Sequence, residues 1–423
     1  MLKLGFQCRM SRDMAKEISL SDLNKVDKQI AKNFEDQTVF LESLVKQKSV
    51  NPSRQGFDNV SEEGMAKIIR SKLRDMGVVS RYLRNKKKRP NLVVSWGPTR
   101  SRKSLALVGH MDTDEPINEN KSEWFSGEVK DGKMYGTGVL DMKASLSAYV
   151  FALKALKDLG FELDGKLKLA FTVDGKSEYF SKLGLHYLIN KGFKAKVALL
   201  SKPGTNKIAV GHRGGYRFKI SVKGEEVDTG RKSWETGKKG KNAIQDVGKI
   251  ISCLGGFDLP FKQARAFPGR VPVFTFPTKI TGGRAVNVVP GKCEAWGDVK
   301  LLPGNTDSQV RWWLEGRLSK LSGVNWSLED ILYVPAMEVD KTDRWVKLLH
   351  EQAEKVLGKS PKLEGCGPWN DAWMLTQTDT PCLAGFGPDG QIDEGQGEWV
   401  DLASLKQVTQ IITRWILVYL GKK

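Results

Sequence analysis

Histidine and cysteine are scarce in this chain: four and five residues in 423. With so few imidazoles, His110, His186, His212 and His350 can be weighed one by one. The cysteines, at positions 8, 253, 293, 366 and 382, show no paired spacing. That excludes a disulfide scaffold and suits reduced thiols, so a cytoplasmic location is expected. Long hydrophobic runs are also missing. No apolar stretch reaches the roughly 18–20 residues of a membrane span. The opening segment MLKLGFQCRMSRDMAKE lacks the apolar core of a secretory signal. Its basic character leaves an organellar presequence as the alternative, and Met10 and Met14 are candidate starts. Acidic residues are outnumbered, 49 to 68, which leaves a net charge of +19.

What is present describes a folded globular protein. The chain is 40% hydrophobic and carries 12 tryptophans, outside the composition of disordered chains. Its length allows two domains with substantial cores. The positive excess is partly local, in RNKKKRP (84–90), TRSRK (99–103) and TGRKSWETGKKGKN (229–242). Solvated loops are the plain reading of these runs. An acidic partner (nucleic acid, an acidic protein or a membrane surface) is the sharper one. No nucleic-acid-binding module accompanies them.

Hydrophobic periodicity alternates along the chain. Residues 20–48 and 61–76 read as helices, RPNLVVSWG and SLALVGHMD as strands, and ASLSAYVFALKAL as a helix. KLKLAFTVD and KVALLSK read as strands, with a helix over SEYFSKLGLHYLINKG between them. The fold class is therefore α/β: a mostly parallel sheet with helices on both faces. Ligand sites in such sheets lie at the carboxyl ends of the strands, where His110, Asp174 and Lys202 fall. From about residue 212 the pattern changes. YRFKISVKG, VPVFTFPTKITGG and KCEAWGDVKLL read as strands, and NAIQDVGKIISCL and DSQVRWWLEGRLSKL as helices. This α+β stretch, 212–337, is expected to be an inserted domain, with 1–211 and 338–423 forming the larger one. The last helix, LASLKQVTQIITRWILVYL, is capped by Asp401.

His110 and Asp112, at the end of a strand, and Asp141, at a glycine-rich turn before a helix, are suitable types to begin a metal site. A second metal would need carboxylates at the ends of the following strands. The chain offers Gly175, Lys176 and Lys202 there.

The ordered motifs SVNPSRQG, RPNLVVSWG, VGHMDT, GTGVLDMKAS, ITGGRAVNVVPGKCEAWGDVKLLPG, WNDAWML and GFGPDG…EWVDL resemble the M20 family of metallohydrolases. That family includes acetylornithine deacetylases, succinyl-diaminopimelate desuccinylases and carboxypeptidases. The resemblance runs nearly end to end. It implies that His110 ligates zinc, that Asp112 orients it, and that Asp141 bridges two ions. It also implies a base and a ligand where Gly175 and Lys176 stand, a ligand where Lys202 stands, and a ligand histidine where Glu394 stands. In the inserted lid domain the family's substrate-binding histidine matches Asp228. Asn287 is kept, and Lys300 replaces an arginine. Glu178 is a candidate to replace the lost base. His186, His212 and His350 are read as structural.

Glycine cannot take a proton, and an ammonium repels a divalent ion. The expectation is therefore a catalytically inactive homologue that binds no cofactor and acts as a binding, structural or regulatory subunit. In it, Lys176 and Lys202 pair with Asp112, Asp141 or Glu394. The alternative is a zinc-dependent amidohydrolase of the deacetylase or desuccinylase type, and a third reading is a basic protein associated with nucleic acid. The resemblance further implies a homo-oligomer, or a hetero-oligomer with an active relative, through the lid. YRFKISVKG would supply the edge strand of that interface and NAIQDVGKIISCL would pack beside it.

Overall fold

A computed structural model describes residues 18–117, 124–177, 181–393 and 397–422. At its centre is a six-stranded sheet. Its order is Ser80–Lys86, Arg89–Trp96, Lys166–Thr172, Ser104–His110, Val197–Leu200, Cys382–Leu383. The last four strands run parallel, and the first two add antiparallel at one edge. The central strand SLALVGH shows why the sheet is covered on both sides. Leu105 and Leu107 enter one core, while Ala106 and Val108 enter another on the opposite face. A strand buried on both faces reads as a continuous apolar run.

The larger core is built by the long helices Leu20–Lys46, Ala144–Asp158 and Leu402–Leu420. Ala144–Asp158 opens with small residues and buries nearly all its side chains, so it lies close on the sheet. Asp401 caps the last helix by accepting from the Ser404 amide. The other face carries only the short helices Leu185–Asn190 and Ala372–Thr376. The first of these is shorter than the sequence pattern suggested. It begins after Gly184, and residues 178–180 lie outside the described set.

A second sheet has its own core. Its order is Val273–Gly282, Lys292–Leu301, Gly214–Lys223, Asn325–Val334, all antiparallel. Helices Ala243–Cys253 and Asp307–Leu318 pack with it around Tyr216, Phe218, Ile220, Val299 and Leu314. The strand Gly214–Lys223 lies inside this sheet, which corrects its expected place at an edge. The strand Asn325–Val334 was not anticipated. It begins on the exposed Asn325, and its first five residues alternate polar and apolar, a strand signal that the sequence reading passed over. This unit joins the rest through neighbouring strands: His212, ending Lys207–His212, pairs with Met337.

The basic run 84–90 needs a second correction. Its tip, Lys87 and Lys88, is a hairpin turn in which Lys88 adopts a positive φ of 64°. Arg89 is buried. Its Nε donates to Glu62 Oε2 at 2.9 Å, and its Nη1 reaches Asp174 Oδ1 at 3.2 Å. Removing one partner from a buried, hydrogen-bonded pair typically costs about 3–5 kcal/mol. Arg89→Met is therefore expected to lower the urea midpoint by that equivalent, with the denaturant slope unchanged. A loss under about 1 kcal/mol, the range of an exposed pair, would show that this pair does not hold the strand edge.

Candidate functional site

The candidate residues gather at the carboxyl ends of the parallel strands. His110 ends its strand, and Asp112 follows two residues later. Asp141 sits in the π-turn Val139–Lys143, which Gly138 enters at φ 76°. Asp174 takes a positive φ of 66° just after Lys166–Thr172.

Asp112 is fully buried and accepts three hydrogen bonds. They come from Asn51 Nδ2 (2.7 Å), the Gly175 amide (2.9 Å) and the Lys176 amide (2.8 Å). Its carboxylate does not orient His110 directly, because His110 Nδ1 lies 3.8 Å away. The ring nitrogen is instead 2.8 Å from the Asp112 carbonyl oxygen. That contact makes Nδ1 the donor and turns Nε2 towards Asp141, whose Oδ1 is 3.4 Å away.

The Lys176 ammonium lies against the other oxygen of Asp141, 2.6 Å from Oδ2, and also reaches Asp114 Oδ2 at 2.9 Å. Arg54 stands behind Asp114 and contacts Glu115 as well. Burial raises the Asp141 carboxyl pKa, but the charges of Lys176 and His110 outweigh it and hold the group far below the usual range. Burial pulls Lys176 down, yet Asp141 and Asp114 leave it raised. For His110, burial opposes the imidazolium, and the hydrogen bond and charge of Asp141 prevail, so its pKa is raised.

The remaining expected residues divide. Lys202 lines the same cleft as His110 and Asp141 and makes no ion pair or hydrogen bond among the described residues, so the expected pairing with Asp112 or Asp141 is not seen, while the expected pairing with Glu394 falls outside the described residues. Its Cβ and Cγ lie against Gly385, where any side chain would collide with them. Glu394 and Glu178 lie outside the described residues. In the lid, Asn287 Nδ2 donates to Asp228 Oδ2 at 3.2 Å, and neither residue lines the cleft. Lys300 pairs with Asp298 and lies 4.6 Å over the ring of Trp369, a cleft residue. His186 is in a short helix, and His350 contacts the Pro361 carbonyl. His212 is buried at the junction, where burial pushes it down to about 4.

Sequence reasoning missed Arg54, Asn51, Asp114 and Glu398. Glu398 accepts from the amides of Gly138 (2.6 Å), Leu140 (2.8 Å) and Asp141 (2.9 Å), and so shapes the turn that presents Asp141. The run DTDE at 112–115 was the available signal for Asp114. Asp174, at its strand end, is paired with Arg89.

These residues do not fit a two-metal centre. The Lys176 ammonium holds Asp141 Oδ2, and Asp112 and Glu398 are committed to amide donors. Among the described residues no group of three His, Cys, Asp or Glu side chains is placed to hold an ion. Position 175 also has no room for a base. A Cβ there would run into the Cβ and Cγ of His110 and come within 2.8 Å of its Cδ2.

Replacing Lys176 by Met is expected to cost about 2–4 kcal/mol. That is below the fully buried range because Asp114 is half exposed. The pH dependence has a definite sign. With Asp141 lowered and Lys176 raised, the pair stabilises the fold between about pH 4 and pH 10, and the contribution is lost only outside that window. His110, being raised, contributes stability that is present below about pH 6.5 and lost as pH rises through its folded value. Without Lys176 to oppose the imidazolium, that decline should steepen. Urea melts at several pH values between 5.5 and 9 check this, and equal slopes in the two proteins would refute it.

Comparison with known proteins agrees with this architecture. Residues 106–418 match the model of peptidase family M20/M25/M40. The chain is 26% identical over 348 residues to N-formyl-4-amino-5-aminomethyl-2-methylpyrimidine deformylase of Bacillus subtilis, covering 76% of this chain and 80% of that protein. It is 27% identical over 282 residues to succinyl-diaminopimelate desuccinylase of Wolinella succinogenes, covering 64% and 72%. Among solved structures, an M20 family metallo-carboxypeptidase from Sulfolobus solfataricus superposes with a TM-score of 0.70 at 19% identity, covering 90% of this chain and 99% of that one. A Saccharomyces cerevisiae di-peptidase superposes with a TM-score of 0.70 at 15% identity, covering 94% and 98%. On the extent of the family match and the shared fold, this chain belongs to the M20 peptidase family.

Proposed function

We propose that this chain is a catalytically inactive M20 homologue that binds rather than hydrolyses. The observation that carries this reading is the Lys176 ammonium, bonded to Asp141 and Asp114 inside the carboxylate cluster. A tethered cation there neutralises the carboxylates that would otherwise attract a metal ion. Gly175 offers no general base, which typically contributes about 10²–10⁴-fold. The cleft persists as a cavity of about 380 Å³ lined by Lys202, Trp369 and Trp373. Its ammonium, unpaired among the described residues, and its aromatic walls favour a ligand with an anionic group on an apolar body.

The purified protein is expected to contain no stoichiometric zinc. It should also leave N-succinyl-diaminopimelate, N-acetylornithine and simple dipeptides intact, even with zinc or cobalt added. The second reading, a metal-dependent amidohydrolase, is favoured by the retained His110, Asp112 and Asp141 and by the enzymatic names of the relatives. Turnover that disappears in His110→Ala would establish that reading and sink the first.

The unit 212–337 is proposed to be the oligomerisation domain, with 1–211 and 338–423 forming the cleft-bearing domain. Support comes from its separate core and from the free edge of Val273–Gly282, which exposes Val273 and Ile280. An exposed apolar strand edge invites pairing. Sedimentation at micromolar concentration should therefore give a dimer or larger, and Ile280→Lys should shift it to monomer. A monomeric native protein would refute this assignment. A cytoplasmic setting is supported by the free thiols of Cys253, Cys293, Cys366 and Cys382. Among the described residues, no helix is long and apolar enough to cross a membrane.

A further inference from the structure

A cluster of positive charge lies at the opposite end of the central sheet from the cleft. There the strands Lys166–Thr172, Ser104–His110 and Val197–Leu200 begin, side by side. A seven-residue strand puts this end roughly 20 Å from His110. A groove of about 380 Å³ opens there. Lys166 and Lys168 alternate on one wall, and Lys194 and Lys196 stand on the other. The middle strand contributes only the small Ser104 to the floor, and its hydroxyl accepts from the Lys196 amide at 2.9 Å. Two strand spacings make the groove roughly 10 Å across.

The four lysines make no ion pair among the described residues. In the adjoining run TRSRK only Lys103 finds a carboxylate, Asp164, which leaves Arg100 and Arg102 to extend the positive field. The sole carboxylate lining the groove is Asp379. Two of the ammonium groups are held in place by backbone rather than by counter-charge. Lys166 donates to the Thr99 carbonyl at 2.7 Å, and Lys168 to the Lys194 carbonyl at 2.6 Å. Each keeps further N–H donors for a ligand. Burial lowers the Lys168 pKa, and the charges of Lys166 and Lys194 lower it further, as expected where positive charge is uncompensated.

We propose that this groove binds a single chain of phosphates, as presented by single-stranded nucleic acid or by free polyphosphate. The groove is too narrow for a flat bilayer to enter, and because the Lys168 side chain crosses to the opposite wall, a phosphate chain would lie along the lysines at its mouth. Ammonium groups act on phosphates as point charges. The groove presents no aromatic platform for stacking bases, so recognition would be of the backbone and independent of sequence. This site is separate from the cleft and does not depend on whether the protein hydrolyses anything.

Fluorescence anisotropy with labelled oligo(dT) and oligo(U), together with calorimetry using inorganic tripolyphosphate, tests the proposal on the full chain. Lys194→Ser/Lys196→Ser is the probe variant, because both side chains are exposed and the fold should tolerate their loss. Thermal melting confirms that it folds. The expected result is binding that weakens with salt. The variant should bind at least about tenfold more weakly, with a log–log salt slope smaller by about 1.4, as two lost phosphate contacts to a single strand require. Lys238→Ser/Lys239→Ser, in the distant basic loop, should leave binding unchanged. Oligonucleotide binding would identify nucleic acid as the source, and tripolyphosphate binding alone would identify free polyphosphate. No binding of either probe at low salt, or binding indifferent to the groove variant, overturns the proposal.

Discussion

Asp112 is the constraint on which the site depends. It is a fully buried carboxylate, and three donors from two separate segments converge on it. A buried charge is tolerable only when its lone pairs are filled, so Asn51 and the Gly175–Lys176 turn are held in register with the Ser104–His110 strand. Once the Lys176 amide is fixed in this way, its side chain projects into the carboxylate cluster. The position of the ammonium is thus set by backbone contacts before any side-chain pairing. His110 is aligned by the same turn, through the Asp112 carbonyl.

Charge balance at the strand ends is divided between two independent systems. Glu62, Arg89 and Asp174 form one, at the antiparallel edge of the sheet. Lys176, Arg54, Asp141 and Asp114 form the other, facing the cleft. The first secures the strand beside the site. The second places side-chain cations against the carboxylates of the cleft. Lys202 joins neither, which makes it the cationic group of the cleft that remains available among the described residues.

Much of the fold was legible in the sequence because its signals are local. The apolar run LALVG marks a doubly covered strand, and the alternation in YRFKISVKG marks a half-buried one. The partners of charges were not legible. Arg89 lies in a run of basic residues whose other members are solvated, and only the hairpin geometry turns that one side chain inward. The pairing of Lys176 with Asp141 followed from the position each occupies at a strand end. The pairing expected of Lys202 with Asp112 or Asp141 is not seen among the described residues. The order of strands in the second sheet was likewise hidden. Chain order places Gly214–Lys223 first, and only tertiary pairing places it between Lys292–Leu301 and Asn325–Val334.

Gly175 closes a road as well as leaving a gap. Its missing side chain lets the turn approach the imidazole, and the space a glutamate would need is filled by His110 itself. Any lineage, natural or engineered, that tried to restore an acid at this position would have to move the histidine first. Doing so would disturb the contact with the Asp112 carbonyl that sets its tautomer. Single substitutions from this sequence therefore begin downhill in stability. A carboxylate side chain at this position would need a coordinated shift of the turn and of His110. The glycine acts as a latch on the history of the site, making the present arrangement easier to keep than to leave.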